Sequence, residues 1–473
     1  MFAIASGGQT LAGNVAYKPF RPAESMDLGP LALTRTYDQR YQLTGIQAGT
    51  VLNYGYTHDG AGNVETISGL PKPDFFPRLA DLTYNANRMA TQNTDWIGAG
   101  VVLPSPAAVY SYDNVGNIVS DGLHTDYFYN QNNRLVRVEI DGLTVAEYAY
   151  DAFERRVMKV VNGVTTHFHY DLNGLLISET DGNGNPRKDY VYLNGEPVAM
   201  KVYGGSAGWH WFITDHVGTP QKMVDESGAV VWAAAYAPFG EARVYKDEVT
   251  NNLRFPGQYY DVETGLHYNW HRYYDPGAGR YLRPDPIGLK GGMNVYAYTY
   301  NSPVNASDIS GLLTEVIITG GNWHGHSAIN LNGTVYSNGR YNPESANSFG
   351  MKGDNILVVQ DHEVYVNFYM NKKVDSTGYI LSISPSQEQK IQGYFNEMIS
   401  GSAKWKFGYK IPKDYSFMSE NCTTTVTEGL QEGLSWFNDL WIESISPYQL
   451  EFHLKTAPWL VESVVQYPGK KNP

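Results

Sequence analysis

The chain is poor in cysteine, in charge and in long apolar runs, and each shortage excludes something. One cysteine, Cys422, in 473 residues cannot close an intrachain disulfide, so the fold is not disulfide-built and the compartment stays open. No apolar stretch approaches the about 20 residues that cross a bilayer. The opening MFAIASGGQTLAGN has neither a basic start nor a sustained apolar core. It therefore does not read as a secretory signal, and it resembles the interior of something longer. Charged residues make up only 18% and leave a net charge of −13, without the basic footprint of a general nucleic-acid binder. Beyond Leu312 the balance is milder, 12 Lys and Arg against 16 Asp and Glu. No nucleic-acid partner is expected. His324 and His326 lie close in sequence, but no cysteine or carboxylate cluster completes a metal site. With no P-loop, G-x-S-x-G elbow or zinc-protease helix after Leu312, neither metal nor cofactor is expected.

What the chain has in excess is tyrosine and glycine, 37 and 48 residues. Tyrosine favours strands and glycine supplies turns, so many short strands joined by tight turns are expected. A repeat confirms the grammar. Tyr56-Thr-His-Asp59 with Gly62-Asn63 recurs as Tyr112-Asp113 with Gly116-Asn117, Tyr129-Asn130 with Asn133-Arg134, Tyr150-Asp151 with Arg155-Arg156, and Tyr170-Asp171 with Gly174. The last four tyrosines are spaced by 17, 21 and 20 residues. Each unit reads as a strand entering on Tyr, an Asp/Asn-x-x-Gly or Asn turn, and an exit strand with apolar alternation.

This grammar resembles the YD-repeat, or RHS, family, and the resemblance sharpens downstream. Asp215-His216-Val-Gly218-Thr219-Pro220, Tyr236-Ala-Pro238-Phe239-Gly240 and Gly257-Gln258-Tyr259-Tyr260-Asp261 lead into Arg272-Tyr273-Tyr274-Asp275-Pro276. Gly279-Arg280-Tyr281, Asp285-Pro286-Ile287-Gly288-Leu289, Asn294-Val-Tyr296-Ala-Tyr298 and Asn301-Ser-Pro303 complete the RHS-associated core signature. The resemblance implies a β-cocoon segment that encloses a variable toxin, with a YD/RHS β-shell over 1–240, the associated core over 241–312 and an effector over 313–473. About 310 residues of shell are short for a closed cocoon. Either the native product is longer or another chain supplies the remainder. A second D-x-x-G-L, Asp308-Ile-Ser-Gly311-Leu312, follows the first after 18 residues, with Ile309 where proline is more usual. In RHS proteins this pair resembles an aspartyl self-cleaving site, which implies a cut between Leu312 and Leu313 by Asp285 and Asp308 with Arg272. Two adjacent carboxylates do not both ionise cheaply; a shared proton lets one polarise a carbonyl while the other activates water.

After Leu313 the patterning becomes α+β. Strands are expected at Val316–Ile318, His326–Leu331, Thr334–Asn338, Ile356–Gln360, Val364–Met370 and Tyr379–Ile383, with Asn332-Gly333 as a hairpin turn that pairs Ser337 with Ala328 on the face of His326. Ser384-Pro385-Ser-Gln387 starts a helix whose stripe is Ile391, Phe395, Met398 and Ile399. A second helix opens at Cys422, capped by Asn421, with Val426 and Leu430 on one face. A thiol there sits where the dipole favours thiolate, and a strand histidine could take its proton. Gly325-His326-Ser-Ala-Ile329 followed by Asn421-Cys422-Thr-Thr-Thr-Val426 resembles the circularly permuted NlpC/P60-like, papain-like hydrolases. That implies Cys422 as nucleophile and His326 as base, with His324 as the alternative base. It also implies a third polar residue on the returning strand: Asn338 suits the role by chemistry, Ser337 by facing. His362, between acidic neighbours, reads as a surface turn residue.

Three functions follow as expectations. The first is a delivered RHS toxin whose released effector is a thiol hydrolase (peptidase or amidase) or acyltransferase attacking an amide or ester in the target cell. It would work in cytoplasm or periplasm, with a cognate immunity protein and a secretion apparatus or the remaining shell chain as partners. The second is an RHS toxin of other chemistry, a nuclease or ADP-ribosyltransferase, with Cys422 structural and a residue such as His324 or Glu363 essential. The third is a non-enzymatic YD-repeat surface-binding module.

Overall fold

The computed structural model describes residues 3–18, 23–60, 63–71, 78–85, 88–98, 101–103, 108–172, 174–286, 294–305, 307–309, 311, 314–319, 326–331, 334–339, 352–353, 356–361, 365, 375–381, 385–400, 402–405, 408–410, 415–416, 422–433, 450, 454 and 461–467. They fall into two compact units, Met1–Pro286 with Asn294–Gly311, and Ile287–Met293 with Leu312–Pro473.

The first unit is built from antiparallel hairpins. A 7-stranded sheet runs in sequence order from Ile4–Ser6 to Val64–Ser68, and a 14-stranded sheet from Ser111–Tyr112 to Ala242–Asp247. A 4-stranded meander follows from Tyr259–Asp261 to Arg280–Tyr281, and a further 4-stranded sheet gathers on the long strand Arg88–Gly98. The repeat explains the turns. The Asp or Asn after the tyrosine turns its side chain back on the loop: Asp151 Oδ1 accepts from Phe153 N and Arg155 N at 2.9 Å each, and Asp113 and Asn130 repeat the pattern. The third residue beyond is left-handed in Gly116, Asn133, Gly174, Gly184, Gly218 and Gly228, which is why Gly or Asn recurs there. Glu154 takes the same place at φ 63°, held by Arg134 at 3.7 Å and His271 at 3.4 Å.

The tyrosine ties one unit to the unit before. Tyr150 Oη donates to Leu135 O at 2.6 Å, Tyr170 Oη to Arg156 O at 2.8 Å and Tyr236 Oη to Pro220 O at 2.9 Å. Each acceptor is the exit residue of the preceding turn. A register shift falls at Tyr129, Tyr150 and Tyr170, so the bulge that frees the carbonyl and the hydroxyl that takes it come from one motif.

Between the 14-stranded sheet and the meander lies a buried ion cluster. Arg156 bonds Asp261 through both terminal guanidinium nitrogens, and Lys159 Nζ reaches Asp261 Oδ1 at 2.9 Å and Glu263 at 3.0 Å. The rings of Tyr148, Phe168, Tyr259, Tyr268 and Tyr273 surround the guanidinium at 4.4 to 5.9 Å. Burial alone would raise the Asp261 pKa; Arg156 and Lys159 outweigh it and hold the carboxyl below the ordinary range.

Among its described residues the second unit holds an 8-stranded antiparallel sheet, a two-stranded pair of Lys352–Gly353 with Tyr415–Ser416, and two helices described along their length. Its elements are β1 (Thr314–Thr319), β2 (His326–Leu331), β3 (Thr334–Gly339), β4 (Ile356–Asp361), β5 (Ser376–Leu381), α1 (Pro385–Ser400), β6 (Ala403–Trp405), β7 (Gly408–Lys410), α2 (Cys422–Gly433) and β8 (Val461–Tyr467). The sheet order is β6-β7-β4-β3-β2-β1-β5-β8. Val316, Ile318, Ile329, Leu331 and Tyr336 form one core with Ile391 and Phe395 of α1 and Val426 and Leu430 of α2. Ile317, Ala328 and Val335 alternate to the other face, with Tyr365. Both helices start where the sequence places them. Of the strand expected over Val364–Met370, Tyr365 alone is described, and it is helical; the remainder lies outside the described residues. Alternating apolar residues in a short window do not separate a strand from a helical turn.

Candidate functional sites

The first candidate site lies in the RHS-associated core. Asn269 and Arg272 flank the two-residue turn of a hairpin, Leu266–Asn269 to Arg272–Asp275. That turn is fastened from the neighbouring sheet, where Arg134 donates to Trp270 O and, at 2.8 Å, to His271 O. Arg272 Nη2 lies 3.1 Å from Asp285 Oδ2 and 3.0 Å from Asp308 Oδ2. All three side chains are buried. Burial alone would lower the Arg272 pKa; Asp285, Tyr281 and Asp308 outweigh it and hold the guanidinium above its ordinary value. The three residues expected to act together thus meet, joined through one nitrogen. Leu312 and Leu313, the expected scissile pair, lie outside the described residues, as do Ile287–Leu289.

Residues without an expected role complete the cluster. Tyr281 Oη donates to Asp308 Oδ2 at 2.8 Å, and Asn269 Nδ2 reaches Asp308 O and Tyr281 Oη at 2.8 Å each. The Tyr281 ring lies under the Arg272 guanidinium at 3.6 Å. Tyr281 was visible in Gly279-Arg280-Tyr281 as a motif residue; Asn269 carried no signal. Upstream of Asp308, His216 Nε2 lies 2.7 Å from Val304 O, Asn305 Oδ1 accepts from Val64 N at 2.7 Å, and Asp308 N meets Tyr298 Oη at 3.3 Å. The D-H-x-G-T-P turn therefore anchors the segment that leads to Asp308.

The second candidate site lies in the second unit. His326 Nε2 is 2.5 Å from Ser337 Oγ, which makes Ser337 the histidine's partner by facing. Asn338 points the other way and donates to Thr425 Oγ1 of α2 at 2.6 Å. Beside His326, Ser327 Oγ is 3.1 Å from Thr423 Oγ1 of α2. Cys422 is the first residue of α2, at the end of the sheet where β2 begins; its side chain lies outside the described residues. By strand alternation His326 and Ser337 share the face of Ala328 and Tyr365, whose ring lies 6.5 Å from the imidazole, whereas α2 covers the face of Ser327 and Asn338. His324, Gly325, His362, Glu363 and Asn421 also lie outside the described residues. Among the described residues no group of three metal-binding side chains is present, and no helix is long and apolar enough to cross a membrane.

Comparison with known proteins places the first unit. Toxin protein Tse5 of Pseudomonas aeruginosa is 32% identical over 252 residues, which is 45% of this chain and 19% of that protein. Double-stranded DNA deaminase toxin A of Burkholderia cenocepacia is 31% identical over 327 residues, 55% of this chain and 22% of that protein. The chain thus spans about a fifth of the length of these relatives. Among solved structures, the TcdB2-TccC3 complex without its hypervariable C-terminal region covers 64% of this chain and 19% of its own, with a TM-score of 0.50 at 17% identity, a likeness of fold. The sequence model described as Teneurin YD-shell matches residues 26–322. With more than half of its length so matched, and with tyrosine-stapled hairpins within that span, this chain belongs to the teneurin YD-shell family of RHS/YD-repeat proteins.

Proposed function

We propose that the chain is the shell-and-effector portion of an RHS polymorphic toxin that cuts itself between Leu312 and Leu313. The observation that carries this reading is the single Arg272 nitrogen holding both Asp285 and Asp308. Asp308, with Arg272 and Tyr281 donating to one oxygen, suits the ionised base. Asp285 is then the acid that polarises the Leu312 carbonyl. Water adds its oxygen to that carbon as Asp308 takes its proton; the C–N bond breaks, and the Leu313 nitrogen leaves with a proton returned from the acid side. Arg272 balances the negative charge throughout. The test is expression of the full chain with and without Asp285→Asn or Asp308→Asn. Appearance of a 313–473 fragment that both substitutions abolish is expected; a fragment formed by both variants at the parental rate refutes the reading.

The released unit acts, in this reading, as a cysteine hydrolase or acyltransferase of the papain-like, NlpC/P60-like kind. Cys422 attacks an amide or ester, His326 takes the thiol proton, Ser337 orients His326, and backbone N–H groups at the start of α2 hold the oxyanion. The His326–Ser337 bond supports the histidine's part in this reading; the Ser327–Thr423 contact brings the start of α2 to the start of β2 on the face opposite His326, so the Cys422–His326 pairing is the part that the Cys422→Ala test decides. Delivery into a target cell and a cognate immunity protein over this site belong to the same proposal. A second reading, action on nucleic acid, draws on relatives named as a double-stranded DNA deaminase toxin and, in Dickeya dadantii, a probable deoxyribonuclease. Expression of 313–473 in bacterial cytoplasm or periplasm separates the two. Killing lost with Cys422→Ala supports the thiol enzyme, and killing that survives the substitution supports the second reading.

A further inference from the structure

We infer that Asn269 and Tyr281 are positioning residues of the self-cleavage, so this inference rests on the reading just given. They touch the reacting residue from two sides. Tyr281 supplies its hydroxyl to the Asp308 carboxylate, while Asn269 holds both that hydroxyl and the Asp308 backbone carbonyl. The side chain and main chain of Asp308 are thereby fixed by one buried pair, and both members are fully enclosed, Asn269 at 0% and Tyr281 at 0% exposure. The Tyr281 ring cannot swing away. Tyr274 and Tyr298 pack on it at 5.6 and 5.9 Å, and Arg272 covers its face.

The same residues shape the path toward the scissile bond. Gly311, one residue before Leu312, has φ +72°, and a β-carbon there would stand 2.9 Å from Asn269 O and 3.5 Å from both Arg272 N and Arg272 Nε. The hairpin that carries Asn269 and Arg272 is therefore a slot that admits glycine, and the D-x-x-G-L pattern matches the slot. Two buried polar atoms in that hairpin, Arg272 Nε and Asn269 Oδ1, have no hydrogen-bond partner among the described residues. A buried donor and acceptor left open beside the passing peptide are suited to groups that appear only as the bond reacts.

Among the described residues, the charged and titratable groups facing Asp308 include Arg272, Asp285 beyond it, Tyr281 and Tyr298. Removing the Tyr281 hydroxyl takes away a donor that favours the ionised carboxylate. The acid limb of the cleavage rate should then move to higher pH, which a loss of packing alone would not produce. Tyr281→Phe keeps the ring under Arg272 and deletes the hydroxyl that donates to Asp308 and accepts from Asn269 Nδ2. The experiment follows cleavage of the full chain after cell-free synthesis at a series of pH values, for the parent, Tyr281→Phe, Asn269→Ala and Asp308→Asn.

Tyr281→Phe is expected to cleave about ten- to a hundredfold more slowly at neutral pH, with its acid limb moved up, and Asn269→Ala to be slowed at least about tenfold. Parental rate and an unmoved limb in Tyr281→Phe, with Asp308→Asn inactive, overturn the positioning roles and leave the self-cleavage reading intact. Cleavage that persists in Asp308→Asn overturns the reading itself. Should tryptophan fluorescence show that Tyr281→Phe does not fold, Asn269→Ala decides, and a parental rate there overturns the inference.

Discussion

Arg156→Met should destabilise the first unit by about 3–5 kcal/mol, the cost of leaving a buried charge without its main partner. The methionine keeps an apolar stem among Tyr148, Phe168, Tyr259, Tyr268 and Tyr273, so packing is largely retained. What is lost is the guanidinium, which makes two bonds to Asp261. Asp261 is fully buried and would be left with Lys159 alone at 2.9 Å. Replacing the charge as well, in Arg156→Met with Asp261→Asn, should return most of the loss, because a neutral amide is far less costly to bury than an unpaired carboxylate. The assay is urea unfolding followed by tryptophan fluorescence, since Trp209, Trp211 and Trp232 are all buried in this unit. A single variant within about 1 kcal/mol of the parent, or a double variant no more stable than the single, would refute the argument.

Stability of the same unit should fall on mild acidification. His267 is enclosed beside Gln258 Oε1 at 2.7 Å, and burial, with Arg254 nearby, pushes its pKa well below the ordinary value. The unfolded chain takes up a proton near pH 6.5 that the folded chain refuses, so stability declines as pH drops below that value. From pH 6.5 to 5.5 this group accounts for about 1 kcal/mol; His267→Gln should remove that slope, and an unchanged slope rejects the assignment. Gly257→Ala places a β-carbon 2.0 Å from Ile309 O at φ +79°, whereas Gly265→Ala at φ +74° meets nothing within 4 Å. Gel analysis of self-cleavage should therefore show Gly257→Ala slowed and Gly265→Ala near the parent, and equal effects would point to backbone strain alone. In the effector, Ser337→Ala should lower Cys422-dependent killing about tenfold by freeing the His326 ring. Undiminished killing removes Ser337 from the site.

The shell was legible because its chemistry is local. The Asx turn, the left-handed third residue and the entering tyrosine all fall within six positions, so the repeat can be read without knowing any long-range contact. The hairpin from His326 to Gly339 and the starts at Pro385 and Cys422 were legible for the same reason, through Asn332-Gly333 and the helix-start residues. Asp285, Asp308 and Arg272 were reached through a motif that fixes their spacing. Asn269 was not, because its meeting with Asp308 joins positions 39 apart and depends on how the meander is fastened by Arg134. The strand Val461–Tyr467 was missed likewise: it pairs with β5 across an intervening stretch of chain that includes both helices, and no local pattern announces such a partner. Which face of β2 met α2 was implicit in the alternation, since Ile329 and Leu331 fix it and His326 must oppose them.

Because the hydroxyls of Tyr150, Tyr170 and Tyr236 each reach into the turn one unit upstream, consecutive units of the wall are stapled in pairs. Duplicating or deleting a whole unit would leave the staples between the remaining units chemically unchanged, except where a unit also carries a long-range tie such as Arg156 to Asp261. A damaged unit loosens the two beside it, and its influence fades within a few neighbours.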